Sequence, residues 1–314
     1  MKIAIVTCCT IDWLRFSLAT HCSVSRNVRL PVDHIVVTDD EDLPQATALI
    51  KKFMEHYQVP IRHEILREKI FADIHVGPFS QSTLFRLRLP QILASAYDRV
   101  LFLDSDVLAL RPLDEMLQMD LGDMPMAAVN DTAITSGISK VAANTFQSIN
   151  FEAGDVYFNS GVLLLDWKKT TSAKFMESAL SFVSDKKLRF IDQDAFNFVM
   201  RNKWMALPLE YNWTSNVDDC LKSDAVIRHF TDRCKPWSDN VRAKDRIHRT
   251  FYSDVFPSLG LAPLPVRNAR LYANRAFATY HYLKKRLKIW LKKRPDDRRQ
   301  LREYVLNYQT PKRR

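Results

Sequence analysis

Glycine is scarce in this chain, with 6 in 314 residues. A glycine-rich, basic nucleotide loop is therefore hard to place anywhere, and after the first apolar stretch TCCTIDW stands where one would be sought. Cysteine is sparse and unpatterned. Cys8, Cys9, Cys22, Cys220 and Cys234 are odd in number, with no CxxC spacing and no zinc pattern. That usage fits a reducing cytosol better than a disulfide framework. No run approaches the ~18 apolar residues of a membrane span. The apolar start IAIVTCC is short, is flanked by Lys2 and Asp12, and lacks the small-residue cleavage pattern of a signal peptide, so it reads as a first buried strand.

Charge is abundant but uneven. The net charge is +10, yet residues 267–314 hold 16 Lys and Arg against 3 acidic residues, while residues 1–266 hold 30 against 33. A near-neutral body, large enough to bury a substantial core, thus carries a strongly cationic tail. Along the body, strand-like runs (KIAIVTCC, HIVVTDD, RVLFLDSD, MAAVND, FNSGVLLLDW, AVIRHFTD) alternate with helical patterns. The latter are QATALIKKFMEHY, STLFRLRLPQILASAY, PLDEMLQM, residues 171–185 and IDQDAFNFVM. This alternation implies an α/β sheet covered on both faces.

Three strands end in acids: Asp39 and Asp40, Asp104 and Asp106, and Asp131. In open α/β sheets ligands bind outside the carboxyl ends of strands, so these acids can converge on one crevice. Within VLFLDSD, side chains at i and i+2 emerge together, so Asp104 and Asp106 can aim at one cation while Ser105 points elsewhere. Two hard oxygen ligands suit Mg²⁺ or Mn²⁺. A strand ending in Asp also fits a turn, and Asp39 and Asp40 read best as turn or cap residues. Asn159, ahead of the small pair Ser160-Gly161, is either a turn residue or an amide beside a polar ligand. Asp192 either caps the helix carrying Gln193 and Asp194 or faces the crevice with Gln193. His229, six residues before Lys235, can set a metal-binding nitrogen and a phosphate-neutralising ammonium on one loop, or be an ordinary core imidazole. Arg86 is by default a solvated cation with a buried stem.

Taken together, TLFRLRLP, VLFLDSDVL, AVND, YFNSGVLLLD, IDQDAFN and H-x-x-x-x-x-KPW occur in that order between about Met1 and Trp237. The set resembles the retaining glycosyltransferases of family eight, which includes glycogenin and bacterial lipopolysaccharide galactosyl- and glucosyltransferases. The resemblance implies a GT-A fold, a Rossmann-like mixed sheet, for a catalytic domain taken as residues 1–265; charge and helical spacing set 266–314 apart as a basic helical tail. It further implies a nucleotide-diphospho-sugar donor, usually a uridine one, and a divalent cation, usually Mn²⁺. Asp104, Asp106 and His229 would be the metal ligands. Lys235 would contact the diphosphate. Arg86, Asp104, Asn159, Asp192 and Gln193 would surround the transferred sugar, with Gln193 nearest the anomeric carbon and Asp192 beside it as the second catalytic group. Thr7, Cys8 and Ser105 would line the donor site, and Asp131 would face the acceptor.

Two departures bear on the donor. Cys9 and Ile11 stand where better-known members carry an acid and an amide that contact the nucleoside. Asp232 replaces a glycine, and its carboxylate would repel phosphate unless Arg233 offsets it. The absent glycine-rich loop argues against a sugar-nucleotide pyrophosphorylase, the second enzyme that an acidic α/β site suggests. From Ala273 to Arg294, Ala276, Tyr280, Leu283, Leu287, Trp290 and Leu291 form a stripe at helical spacing, opposite Lys284, Lys285, Lys288 and Lys292. A basic amphipathic helix with Trp at its apolar edge suits an anionic membrane surface. Gripping nucleic acid is the other use of such a tail, but the body shows no recognition helix or RNA-binding motif. The expectation is a cytoplasmic enzyme, peripheral on the inner face of the membrane, extending a saccharide such as a lipopolysaccharide core, with no nucleic-acid partner.

Overall fold

Alternating apolar side chains on β1 (Ile3–Cys9) face two different cores. Ala4, Val6 and Cys8 enter one, whereas Ile3 and Ile5 enter the other. That requires layers on both sides of the sheet. The computed structural model describes residues 1–39, 42–66, 74, 81–184, 188–239, 241–264 and 297–309. It supplies those layers. The further strands are β2 (Val32–Thr38), β3 (Ile61–Ile65), β4 (Arg99–Leu103), β5 (Val107–Ala109), β6 (Met126–Asn130), β7 (Phe158–Asp166), β8 (Met205–Leu207) and β9 (Ile227–His229). Six of these join β1 in one sheet in the order β3-β2-β1-β4-β7-β6-β8.

Only β7 runs against its neighbours; β1 pairs in parallel with β2 and β4, and β6 with β8. The amino end of β7 therefore meets the carboxyl ends of the other strands, which is the edge where ligands bind. The pairing of β6 with β7 shifts between Ala128 and Val129, so Val129 faces Asn159 rather than Val162. Such a bulge re-aims side chains locally. It places Asn159, Ser160 and Gly161 inside the strand, not ahead of it as their small size suggests. β5 and β9 make a separate antiparallel pair that sets Val107 opposite His229.

Three expected helices differ in detail. The segment TLFRLRLP begins as a 3-10 helix, Gln81–Arg88, and is α-helical only over Leu89–Leu93. Pro90 tolerates the first turn of that α-helix but lacks the N–H that a longer one would use. The helix expected over 171–185 breaks at Lys174, whose φ of 50° ends Trp167–Ser172 before Phe175–Ser184 begins. PLDEMLQM yields a single turn, Asp114–Leu117. The amphipathic stretch 273–294 lies outside the described residues, as does Asp40. The terminal helix Asp297–Gln309 packs on the body. Its Val305 is fully buried in the core cluster of Leu207, Tyr211 and Val217, and it lies against the helices Thr132–Thr135 and Ser215–Cys220.

Candidate functional site

One cleft of about 790 Å³ opens at the carboxyl edge of the sheet. Its lining brings together Cys8, Arg86, Asp104, Ser105, Asp106, Asp131, Asn159, Asp192, Gln193, His229 and Lys235. Thr7 is the exception and corrects the expected donor set: it is fully buried, with its hydroxyl 2.5 Å from Ser17 Oγ and 3.1 Å from His21 Nε2. The period of β1 turns Thr7 away from the crevice that Cys8 reaches.

The loop after β4 supplies the acids. Asp104 donates its N–H to the Gly161 carbonyl at 2.8 Å, and Phe230 donates to the Asp106 carbonyl at 3.0 Å. Backbone bonds to β7 and β9 thus hold both carboxylates. His229 Nε2 lies 3.2 Å from Asp106 Oδ1 and 3.7 Å from Asp104 Oδ2. One ligand atom from each of the three residues lies within 4.8 Å of the others. Two carboxylate oxygens and an imidazole nitrogen at this spacing match the donor set of a divalent cation. Gly161 is required beside them. A Cβ there would sit 2.3 Å from His229 Cε1 and 2.7 Å from Asp104 Oδ2, inside van der Waals contact.

Lys235 Nζ reaches Asp106 Oδ2 at 2.6 Å and also donates to the Phe230 carbonyl. Burial disfavours the Asp106 carboxylate, but Lys235 and His229 outweigh it and hold the group well below the ordinary carboxylate range. Arg86 is not the surface cation its sequence context suggests. It is buried, stacks 4.2 Å over the Phe102 ring, and bonds Asp104 Oδ1 at 2.6 Å and the Ser160 carbonyl at 2.8 Å. It also lies 3.4 Å from Asp192 Oδ2 and 3.4 Å from Ser160 Oγ.

Asp192 does not cap its helix, Ile191–Val199. That helix start has no side-chain cap; Asp194 instead ties down the approach to it by accepting from the N–H of Arg189 and Phe190, while Ile191 adopts a φ of 28°. This left-handed backbone at a β-branched residue is a strained arrangement of the kind that clusters at functional sites. The same helix is clamped to β7 by Asn197, which accepts from Phe158 N at 2.8 Å and donates to its carbonyl at 2.9 Å. Asp192 and Gln193 are thereby fixed in the cleft. Burial lifts Asp192 to about 6, with Arg86 opposing and Asp104 reinforcing the rise. Asp131 is likewise lifted by burial, although it accepts from Ile134 N at the start of Thr132–Thr135 and from Gln193 Nε2 at 3.3 Å.

The departures also find their places. Cys9 lines the cleft, but Ile11 is buried in the core beneath it. Trp13, more than a third exposed, lines the cleft on that side and packs edge-on to Trp237. Asp232 lies 3.9 Å from Arg242, so the nearby guanidinium is that of Arg242; Arg233 contributes its backbone N–H. Asp39 accepts from Ile11 N at 3.3 Å, tying the end of β2 to the 3-10 turn Ile11–Trp13 that follows β1. Sequence reasoning missed Trp13 and Asn212. Neither sits at a diagnostic spacing, and Asn212 becomes relevant only once β7 and β9 converge.

Residues 4–241 match the glycosyl transferase family 8 model, and the chain belongs to that family. It is 31% identical over 203 residues to lipopolysaccharide 1,2-glucosyltransferase of Escherichia coli K12, covering 60% of this chain and 59% of that protein. It is 22% identical over 214 residues to lipopolysaccharide 1,3-galactosyltransferase of Salmonella typhimurium, covering 63% and 61%. The chain thus spans about three fifths of the length of these relatives. Among solved structures it resembles the galactosyltransferase LgtC crystallised with donor and acceptor sugar analogues, with a TM-score of 0.67 and 21% identity, covering 84% of this chain and 98% of that one. The fold is the GT-A arrangement expected from the motifs. Among the described residues, no helix is long and apolar enough to cross a membrane.

Proposed function

We propose that the protein is a metal-dependent, retaining hexosyltransferase. It takes glucose or galactose from a uridine-diphospho-sugar and places it on a saccharide such as a lipopolysaccharide core. The observation that carries this reading is the junction of a cation-type cluster, Asp104, Asp106 and His229, with a buried polar wall of Arg86, Asn159, Asp192 and Gln193. The names of the relatives supply the hexose and the acceptor class.

Mn²⁺ or Mg²⁺ held by the three ligands would neutralise a leaving diphosphate. Lys235 adds a cation on the same side, and its ammonium is available to phosphate oxygens alongside Asp106. Arg86 orients Asp104 and divides its charge between Asp104 and Asp192. Asp192 accepts from donor-sugar hydroxyls. Gln193 Oε1 already accepts from Ser160 N at 3.0 Å and Asn159 Nδ2 at 3.1 Å, which leaves the amide a positioning and polar role rather than a nucleophilic one. With no carboxylate nucleophile assigned, the acceptor hydroxyl enters from the departing face, and the diphosphate helps to take its proton. Asp131, bonded to Gln193, faces the acceptor. Ser105 and Cys8 border the donor, and Trp13 offers an apolar face where Cys9 and Ile11 provide no acid or amide.

Asp106→Ala should abolish Mn²⁺-dependent hydrolysis of uridine-diphospho-sugars, and chelator should do the same to the unaltered protein. The product of transfer should keep the donor's α configuration, read from its anomeric proton coupling. Full activity of Asp106→Ala in chelator, or a β-linked product, would refute the reading.

The protein would work at the cytoplasmic face of a membrane, with the cationic stretch between 267 and 296 meeting anionic lipid. Because the terminal helix packs on the body, truncation is a poor test. Replacing Lys284, Lys285, Lys288 and Lys292 with Gln should instead sharply lower binding to anionic vesicles and remove its salt dependence. Unchanged vesicle binding would exclude this surface role.

A further inference from the structure

Three buried amides join the cation-type cluster to the sugar-facing wall, and the backbone of β7 sets their direction. Gly161 donates its N–H to Asn159 Oδ1 at 3.0 Å, and Ser160 donates its N–H to Gln193 Oε1 at 3.0 Å. A backbone N–H can only donate, so both amides are oriented without ambiguity; amide flips are otherwise a matter of assignment. Asn159 Oδ1 must then accept from Asn212, whose Nδ2 lies 2.8 Å away. That leaves Asn212 Oδ1 to face His229 Nδ1 at 2.9 Å. An oxygen there demands a donor, so Nδ1 carries a hydrogen. Nε2 is the nitrogen outside this relay, and it points between Asp104 and Asp106, where a bound cation would meet it.

We propose that Asn212 is a positioning residue: bridging Asn159 and His229, it locks the tautomer that presents the His229 Nε2 lone pair to a divalent cation and couples the cation to Gln193. The inference rests on the metal-dependent reading above and deepens it. Asn212 is fully buried in the 3-10 turn Leu209–Asn212, so neither water nor another rotamer replaces it cheaply. Continuing the chain, Asn159 Nδ2 donates to Gln193 Oε1 and Gln193 Nε2 to Asp131 Oδ2. All hydrogens run one way, from the imidazole to the carboxylate of Asp131. A partner behind a ligating imidazole fixes ring orientation and basicity, and removing such partners typically costs 10- to 100-fold in metal affinity.

The test separates the two bonds of Asn212. In Asn212→Asp a carboxylate still accepts from Nδ1–H but gives Asn159 no donor; in Asn212→Ala both bonds are lost. Titration with Mn²⁺ alone, following free ion by electron paramagnetic resonance, should show affinity falling about 10- to 100-fold in Asn212→Ala and staying within about threefold in Asn212→Asp. Transfer should be slowed in both. A purely structural role would lower thermal stability without separating the variants in Mn²⁺ affinity. Equal loss in both, or wild-type affinity in Asn212→Ala, would overturn the proposal. Should Asn212→Ala fail to fold, ¹⁵N shifts of His229 in the Mg²⁺-saturated unaltered protein decide: hydrogen on Nδ1 upholds the relay and a bare Nδ1 overturns it. Failure of the unaltered protein to bind Mn²⁺ would sink the metal reading, while the same ¹⁵N assignment made without metal would still judge whether Nδ1 carries the relay's hydrogen.

Discussion

The two ends of the cleft hold aspartates in opposite states. Burial penalises ionisation at both. At the cation-type end, Lys235 at 2.6 Å and His229 at 3.2 Å from Asp106 reverse that penalty, so the carboxyl stays ionised far into acid. At the sugar-facing end, Asp192 shares a guanidinium that sits closer to Asp104, at 2.6 Å against 3.4 Å. The divided charge falls short, and Asp192 titrates near 6. Identical side chains thus become a permanent anion and a group poised near neutrality, and the distance to a cation decides which. The permanent anion suits holding metal. The poised one suits hydrogen bonds to hydroxyls that must form and break.

Gly161 is where the two ends meet, and filling it should give the larger effect. Gly161→Ala drives a methyl into His229 and Asp104 while distorting the bulge that aims Asn159. Overpacking of this kind costs about 1–3 kcal/mol, read as a lowered thermal midpoint. Displacing catalytic geometry by ~1 Å can cost about 100-fold, read in kcat/KM. Wild-type kinetics in Gly161→Ala would mean that the cluster and the wall work independently.

Asp192→Asn sharpens the comparison with a smaller effect. In the unaltered protein, kcat/KM should decline as pH falls through about 6, because Asp192 takes up a proton there. Asp192→Asn should be slower near neutrality and should lack that acid limb. The stability sign follows from the same shift. The folded value lies above the ordinary 3.8, so the folded state binds the proton more tightly than the unfolded one. Any contribution from Asp192 is present below pH 3.8 and is lost as pH rises towards about 6. The difference in unfolding free energy between the unaltered protein and Asp192→Asn should move in that direction. An acid limb surviving in Asp192→Asn would assign it to another group.

Much of this was legible in the residues. Apolar runs fixed the strands of β1, β2, β4, β6 and β7, and acids at their ends marked the edge that became the cleft. Motif order led to the family. Other features were not legible. Thr7 and Cys8 are adjacent, yet strand period sends only Cys8 into the cleft. The helix expected at TLFRLRLP is largely 3-10, and its Arg86 is the most buried cation of the site rather than a solvated one.

By itself the sequence determined the alternation of strands and helices, the two-carboxylate spacing at Asp104 and Asp106, and the cationic character of 267–314, because each depends on local period or composition. Only the tertiary structure decided that β7 runs opposite to its neighbours, that a bulge turns two backbone N–H groups into the cleft, and that Asn212 stands behind His229. These depend on pairings between residues distant in the chain, from His229 and Asn212, 17 apart, and Asn212 and Asn159, 53 apart, to His229 and Asp104. No local propensity encodes such distances; burial of both sheet faces and the satisfaction of buried polar groups select them together.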